Sequence, residues 1–325
     1  MVGALTMLLV AGSAVAPPGA AAGPAPAPGR WVSGEFTNEA GTRRWSLYVP
    51  ASLDPKGKPM LVVLLHGCTQ DAADIARGTR IAEQAEKNGF LALLPEQPES
   101  ANMKKCWNWY DSAHQGRDAG EPSIIAGLTA KIVKDYHADA DRVHLAGISA
   151  GAAMASLVAV AYPEMYASVA FHSGLPWRAA TNVAAALGVM AKGTEETLNL
   201  GLDAVKAMGP RKRPIPALII QGGSDKVVNP ANADGLARQW LVMNTEAIDA
   251  RTGGMAGDEV SGETNGYHWK RVVFGDGPLT VDQLVVEELG HAWSGGSKAG
   301  TFTDERGPDA MAEMVTFFRA HPRGR

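Results

Sequence analysis

Five short runs in this 325-residue chain are apolar almost without interruption: MLVVLLHG (60–67), FLALLPE (90–96), RVHLAGIS (142–149), SVAFHSG (168–174) and PIPALIIQGGSD (214–225). Runs of that length without polar alternation suit strands that are covered on both faces. Between them lie stretches with helical apolar spacing, around 72–87, 122–137, 151–163, after Asp225 through Trp240, and 311–321. RRWSLYVP (43–50) reads as an earlier strand, and the segments 267–275 and 279–290 flank GDGP as a hairpin. Strands alternating with helices of this length predict an α/β protein with a mainly parallel central sheet and helices on both faces. Residues 181–213 carry two helical pieces between two core strands. They are read either as a small cap over the site or as an ordinary long crossover.

Residues 1–30 differ from the rest. An apolar run, MVGALTMLLVAGSAVA, precedes the Pro- and Ala-rich PPGAAAGPAPAPG. This resembles a short signal-peptide core with Ala-x-Ala cleavage options and a linker, although no Lys or Arg precedes it. Secretion or a periplasmic location is the expectation, and a cytoplasmic protein with a plain leader the alternative. Residues 31–325 are expected to form one catalytic domain. No run reaches the length that a membrane-spanning helix needs. Thirty Lys and Arg against 34 Asp and Glu give a net charge of -4, which disfavours nucleic acid as a partner. Two cysteines cannot build a Cys-based zinc or iron–sulfur site. Neither a metal nor a cofactor is expected, and the protein is read as a monomer or homodimer.

GISAG (147–151) sits at a strand-to-helix junction, the context in which G-x-S-x-G carries chemistry. Gly147 and Gly151 allow strand and helix to approach around a strained turn that presents Ser149 as a nucleophile. A serine needs a base, and the base an orienting carboxylate. Of eight histidines, His291 opens the glycine-rich loop GHAWSGG after a strand. Asp225 ends the strand PALIIQGGSD. Ser149, Asp225 and His291 thus fall in chain order at strand ends, where open sheets carry their sites. HGC (66–68) follows the first wholly apolar strand, so the backbone N–H groups of Cys68 and Ala150 are the expected oxyanion donors. His66 is read as a structural hydrogen-bonding residue. Cys68 and Cys106 both follow consecutive strands, which leaves a disulfide and a pair of free thiols both open.

HGCTQ, CWNWYD, HQGRDAGEP, GISAGAAM, FHSGLPW, GGSDKVVNP and GHAWSGG together resemble the poly(3-hydroxybutyrate) depolymerase-like esterases, over about residues 40–320. These are α/β-hydrolases that also resemble feruloyl and acetylxylan esterases. The resemblance implies a Ser149–Asp225–His291 triad, an oxyanion residue at Cys68 disulfide-bonded to Cys106, and a cleft lined by Trp107, Trp109 and Trp293. It implies a serine hydrolase that cleaves esters of a polyester, its oligomers or related compounds through an acyl-enzyme. Feruloyl or acetylxylan ester cleavage is a second option. Poly(aspartic acid), cleaved at backbone amides, is another substrate within the family. Lys104, Lys105, Arg117, Lys226 and the run Arg211, Lys212, Arg213 are expected to rim the site, and such a rim would favour that polyanion. With neither a Thr-rich linker nor a second binding module in the sequence, a soluble polymer or oligomer is the expected substrate.

Overall fold

The computed structural model describes residue 1 and residues 29–247 and 257–324, so most of the leader at 1–30 lies outside the described residues. The chain opens with β1 (Arg30–Asn38) and β2 (Gly41–Val49), an antiparallel hairpin. It continues through β3 (Met60–Leu65), α1 (Ala72–Thr79), α2 (Ile81–Asn88) and β4 (Phe90–Glu96). Next come α3 (Gly120–Asp135), β5 (Val143–Ile148), α4 (Ala150–Ala161), β6 (Ser168–His172), α5 (Val183–Lys192) and α6 (Thr197–Met208). The last part holds β7 (Ala217–Gly222), α7 (Ala231–Ala247), β8 (Asp258–Thr264), β9 (Tyr267–Phe274) and β10 (Val281–Val286). Two short strands, β11 (Trp293–Ser294) and β12 (Thr303–Asp304), precede α8 (Ala310–Ala320).

Among the described residues, ten strands join in one sheet in the order β1-β2-β4-β3-β5-β6-β7-β10-β9-β8. The six from β4 to β10 in that order run parallel, and the antiparallel pairs lie at the two edges. The parallel strands are buried on both faces because alternate residues feed two separate cores. Leu61, Val63 and Leu65 of β3 face the core under α3, α4, α6 and α7, while Met60, Val62 and Leu64 face the one under α1, α2 and α8. β4, β5 and β7 divide in the same way, Leu93, Leu145 and Ile219 on the first side and Leu94, Ile148 and Ile220 on the second.

Chain order reverses at β3, which has β4 on one side and β5 on the other. The loops leaving β3 and β5 therefore open a crevice at the carboxyl edge, where such sheets bind ligands. The 181–213 stretch holds α5 and α6. Ala204 and Met208 of α6 join the core that Trp240 of α7 also enters, so this stretch belongs to the helical layer on that face. The helix expected over 72–87 is two helices, because Arg80 takes a left-handed conformation (φ 54°) between them. That break aims the Arg80 guanidinium at Gly295 O, 2.6 Å away, in the loop that carries His291.

Candidate active site

Ser149 lies between β5 and α4 with φ 56° and ψ −123°, a region that side chains other than glycine rarely occupy. Its own N–H is spent on His172 O at 2.9 Å. The tightness of the turn depends on its glycines. A Cβ on Gly147 would come within 2.4 Å of the Gly151 backbone, and one on Gly151 within 2.3 Å of Leu65 O. The end of β3 is thereby pressed against the start of α4, bringing the HGC loop beside the serine.

His291 Nε2 lies 3.0 Å from Ser149 Oγ, and its Nδ1 lies 2.7 Å from Asp225 Oδ2. The Asp225 carboxylate accepts further bonds from the N–H groups of Val227 (2.8 Å) and Val228 (2.9 Å) and from Gln221 Nε2 (3.2 Å). Burial by itself would raise its pKa. The His291 contact and these donors outweigh burial and hold it below the usual aspartate value. With Asp225 facing Nδ1, Nε2 is the nitrogen turned to the serine, the orientation a general base needs.

Opposite, Cys68 is disulfide-bonded to Cys106 across a separation of 38 residues. Closing a loop of that length stabilises a fold by about 2–4 kcal/mol, largely through the unfolded chain. Among the described residues, neither the Cys68 nor the Ala150 N–H has an acceptor. His66 Nε2 accepts from Gln97 N at 3.0 Å, so Nδ1 carries the proton and donates to Gly67 O at 2.7 Å. Gly67 O belongs to the same peptide as the Cys68 N–H, and the imidazole therefore sets the direction of that donor. Behind it, buried Glu121 accepts from Asn108 N and Nδ2 (both 2.7 Å), from Arg43 (3.2 Å) and from Gln97 Nε2. Nothing in the local sequence around Glu121 marks it for this task, since its partners come from β2 and from the long loop between β4 and α3.

Burial lowers the pKa of His66 to about 4, and those of His144 and His172 to about 3. His144 is enclosed by Ser168 Oγ (2.8 Å) and the Phe318 ring. His172 accepts from Ser294 N at 3.2 Å under a stacked Trp293. In the unfolded chain these groups titrate near 6.5, at about 1.4 kcal/mol per pH unit each. Their contribution is complete above that value and shrinks as pH falls towards 4, because only the unfolded chain binds the protons. Urea midpoints should therefore drop steeply between about pH 6.5 and 4.5. A constant midpoint over that interval would contradict neutral, buried imidazoles.

Other expected site residues lie elsewhere. Trp107, Trp109 and Trp293 are buried, at 0%, 5% and 1% exposure, and so back the loops instead of lining a cleft. Trp107 lies beside His66, and Trp293 on His172. The Arg117 guanidinium stacks on Tyr162 and bonds to Ala161 O (2.8 Å) and Glu164 (2.7 Å). That is the far end of α4, about 18 Å from Ser149 by the helical rise of a 12-residue helix. Arg211 reaches the same Glu164, and Arg213 donates to Pro163 O and Tyr166 O, which removes both arginines from the rim. Lys104 is exposed next to the HGC loop, its carbonyl accepting from Thr69 N, while Lys105 lies 3.9 Å from Asp71. Lys226 is exposed beside Asp225, but so are Glu287 and Glu288, whose turn receives the Ser224 hydroxyl at Glu287 O. His268, Glu287 and Glu288 are the one set among the described residues with ligand atoms close enough to share a cation, and His268 Nδ1 is already 2.6 Å from Glu288.

A parallel sheet with a strained serine elbow, and a histidine and an aspartate at neighbouring strand ends, defines the α/β-hydrolase class. Within it, residues 44–264 match the model of the esterase PHB depolymerase family, and the chain belongs to that family. Its relatives include a poly(3-hydroxyalkanoate) depolymerase C from Paucimonas lemoignei, 30% identical over 79% of this chain and 60% of that protein. Feruloyl esterase B from Neurospora crassa is 30% identical over 74% of this chain and 80% of its own length. The chain thus spans less than two thirds of the depolymerase. An acetyl xylan esterase from Aspergillus awamori shares the fold, with a TM-score of 0.71 at 20% identity, covering 89% of this chain and 99% of that structure. Among the described residues no helix is long and apolar enough to cross a membrane.

Proposed function

We propose that this chain is a serine carboxylic-ester hydrolase working through an acyl-enzyme on Ser149. The observation that carries the reading is the continuous line of hydrogen bonds from Ser149 Oγ through His291 to Asp225, at 3.0 and 2.7 Å. Ser149 Oγ attacks the ester carbonyl while His291 Nε2 takes its proton. The developing oxyanion is met by the N–H groups of Cys68 and Ala150. His291 then protonates the departing alcohol, and a water deprotonated by the same nitrogen releases the acid. Asp225, held below the usual carboxylate range, stabilises the imidazolium in both steps.

The substrates named for the relatives are all esters: a poly(3-hydroxyalkanoate), a feruloyl ester and an acetylxylan. We read the substrate here as a neutral ester of a polymer or its soluble oligomers. Arg117, Arg211 and Arg213 are engaged at the far end of α4, which leaves Lys104, Lys105 and Lys226 of the expected cations near the site, a weaker field for concentrating a polyanion than the full set. The Cys68–Cys106 bond favours an oxidising compartment outside the cytoplasm. The test compares acetylated xylo-oligosaccharide, methyl ferulate, a 3-hydroxybutyrate oligomer and poly(aspartic acid) at about 20 and 500 mM salt, a range over which screening changes severalfold. Turnover of a neutral ester with little salt dependence is expected. New amine termini from poly(aspartic acid), falling away at high salt, would overturn the choice of substrate.

A further inference from the structure

Phe302 combines two properties that folding alone does not reward. It is a large aromatic left 47% exposed, and its backbone is left-handed at φ 51°, where glycine or asparagine is the easier residue. The ring meets the His291 imidazole edge to face, with centroids 6.5 Å apart and planes at 72°. The position is held firmly. Phe302 O accepts from Trp293 N at 2.7 Å, two residues beyond the histidine. The preceding Thr301 donates its N–H to the Asp74 carboxylate at 3.1 Å. Gln70 closes the arrangement: its Nε2 donates to Thr301 O at 3.1 Å while its Oε1 accepts from Gly67 N at 2.9 Å. One glutamine therefore braces both the oxyanion loop and the segment that presents the ring.

We propose that Phe302 is a specificity-determining contact for the alcohol half of the substrate, an apolar wall that selects esters whose leaving group carries a ring or other flat apolar face. The inference rests on the ester-hydrolase reading and adds the substrate's leaving-group side to it. The argument is geometric. His291 Nδ1 is closed off by Asp225, and Nε2 must protonate the departing oxygen from hydrogen-bond distance. Whatever is attached to that oxygen has to lie alongside the imidazole, and the Phe302 ring is an exposed apolar group that flanks it there. A ring on the alcohol gains an aromatic contact there, in addition to the area that it buries.

Benzyl acetate and methyl acetate test this, since both leave the same acetyl-enzyme and differ only in the alcohol. For Phe302→Ala, the ratio of kcat/KM for benzyl over methyl acetate should fall roughly tenfold, the scale of one aromatic contact. Phe302→Tyr, which keeps the ring, should restore the ratio to within about twofold of the parent. Deacylation, from which the alcohol is gone, should keep its rate constant in both variants. An equal loss on the two esters, or a slower deacylation, would mean that Phe302 merely supports His291 and would overturn the proposal. An unchanged ratio would overturn it as well. If the parent protein formed no acetyl-enzyme from either ester, the ester-hydrolase reading itself would fall, and this inference with it.

Discussion

Replacing Ser149 by Ala should lower kcat on an activated ester by at least about 10³-fold, because the hydroxyl is the one nucleophile in line with His291. KM need not change, since the oxyanion donors and the binding walls stay in place. The loss should be shared with His291→Ala, and the double variant should lose little more than either single one, as expected of groups that act as a unit. Stability separates this effect from unfolding. Ala must adopt the same φ of 56° as the serine and should leave the melting temperature nearly unchanged. Ser149→Gly relieves a conformation that costs about 1–3 kcal/mol, offset in part by the extra freedom of glycine in the unfolded chain. The Gly variant should be equally inactive and more stable than the Ala variant, by about 1 kcal/mol. Such a gain would identify the elbow as strain held in place for function.

The second large effect is on folding. Gly151→Ala would drive a Cβ to 2.3 Å from Leu65 O and 2.5 Å from His66 O, backbone atoms of the last residue of β3 and of the one that follows it. No side chain can turn away to make room, so the sheet and α4 must separate. A cost of at least about 3 kcal/mol is expected, above the usual range for point substitutions. In a domain of this size that lowers Tm by roughly 5 °C or more. The same exchange at Gly188 is the control. This residue is exposed in the middle of α5, and a Cβ there would have nothing within 4 Å. Gly188→Ala should therefore stabilise by about 0.5–1 kcal/mol, the ordinary helix preference for alanine. Urea titration of the two variants reads both signs in one experiment. A Gly151→Ala protein as stable as the parent would contradict the close contact of β3 and α4.

The parallel strands were legible because a strand buried on both faces has no polar alternation, as in MLVVLL and ALIIQG. The edge strands β1 and β8 were not. RWVSGEFTN and DEVSGET are largely exposed or half-buried, carry glycine, and resemble loop sequence. Ser149, Asp225 and His291 could be brought together on paper because each follows a recognisable strand end. The cations could not be placed that way. Arg117 lies in a loop whose neighbours suggest the site, and only the length and direction of α4 carry it to the opposite end. The tryptophans illustrate a similar limit, since a loop rich in aromatics folds its rings inward beneath itself as readily as towards a substrate. Phe302 and Glu121 depend on partners their local sequence does not reveal, Asp74 and Gln70 holding the segment of the one and Arg43, Gln97 and Asn108 binding the other.

Acid-quenched mass spectrometry during turnover of p-nitrophenyl acetate is the most direct test of covalent catalysis at Ser149. The protein should gain the mass of one acetyl group, the modified peptide should contain Ser149, and the adduct should be absent from Ser149→Ala and disappear as substrate is exhausted. Steady turnover with no trapped acyl group, or an acetyl group carried on another residue, would contradict it.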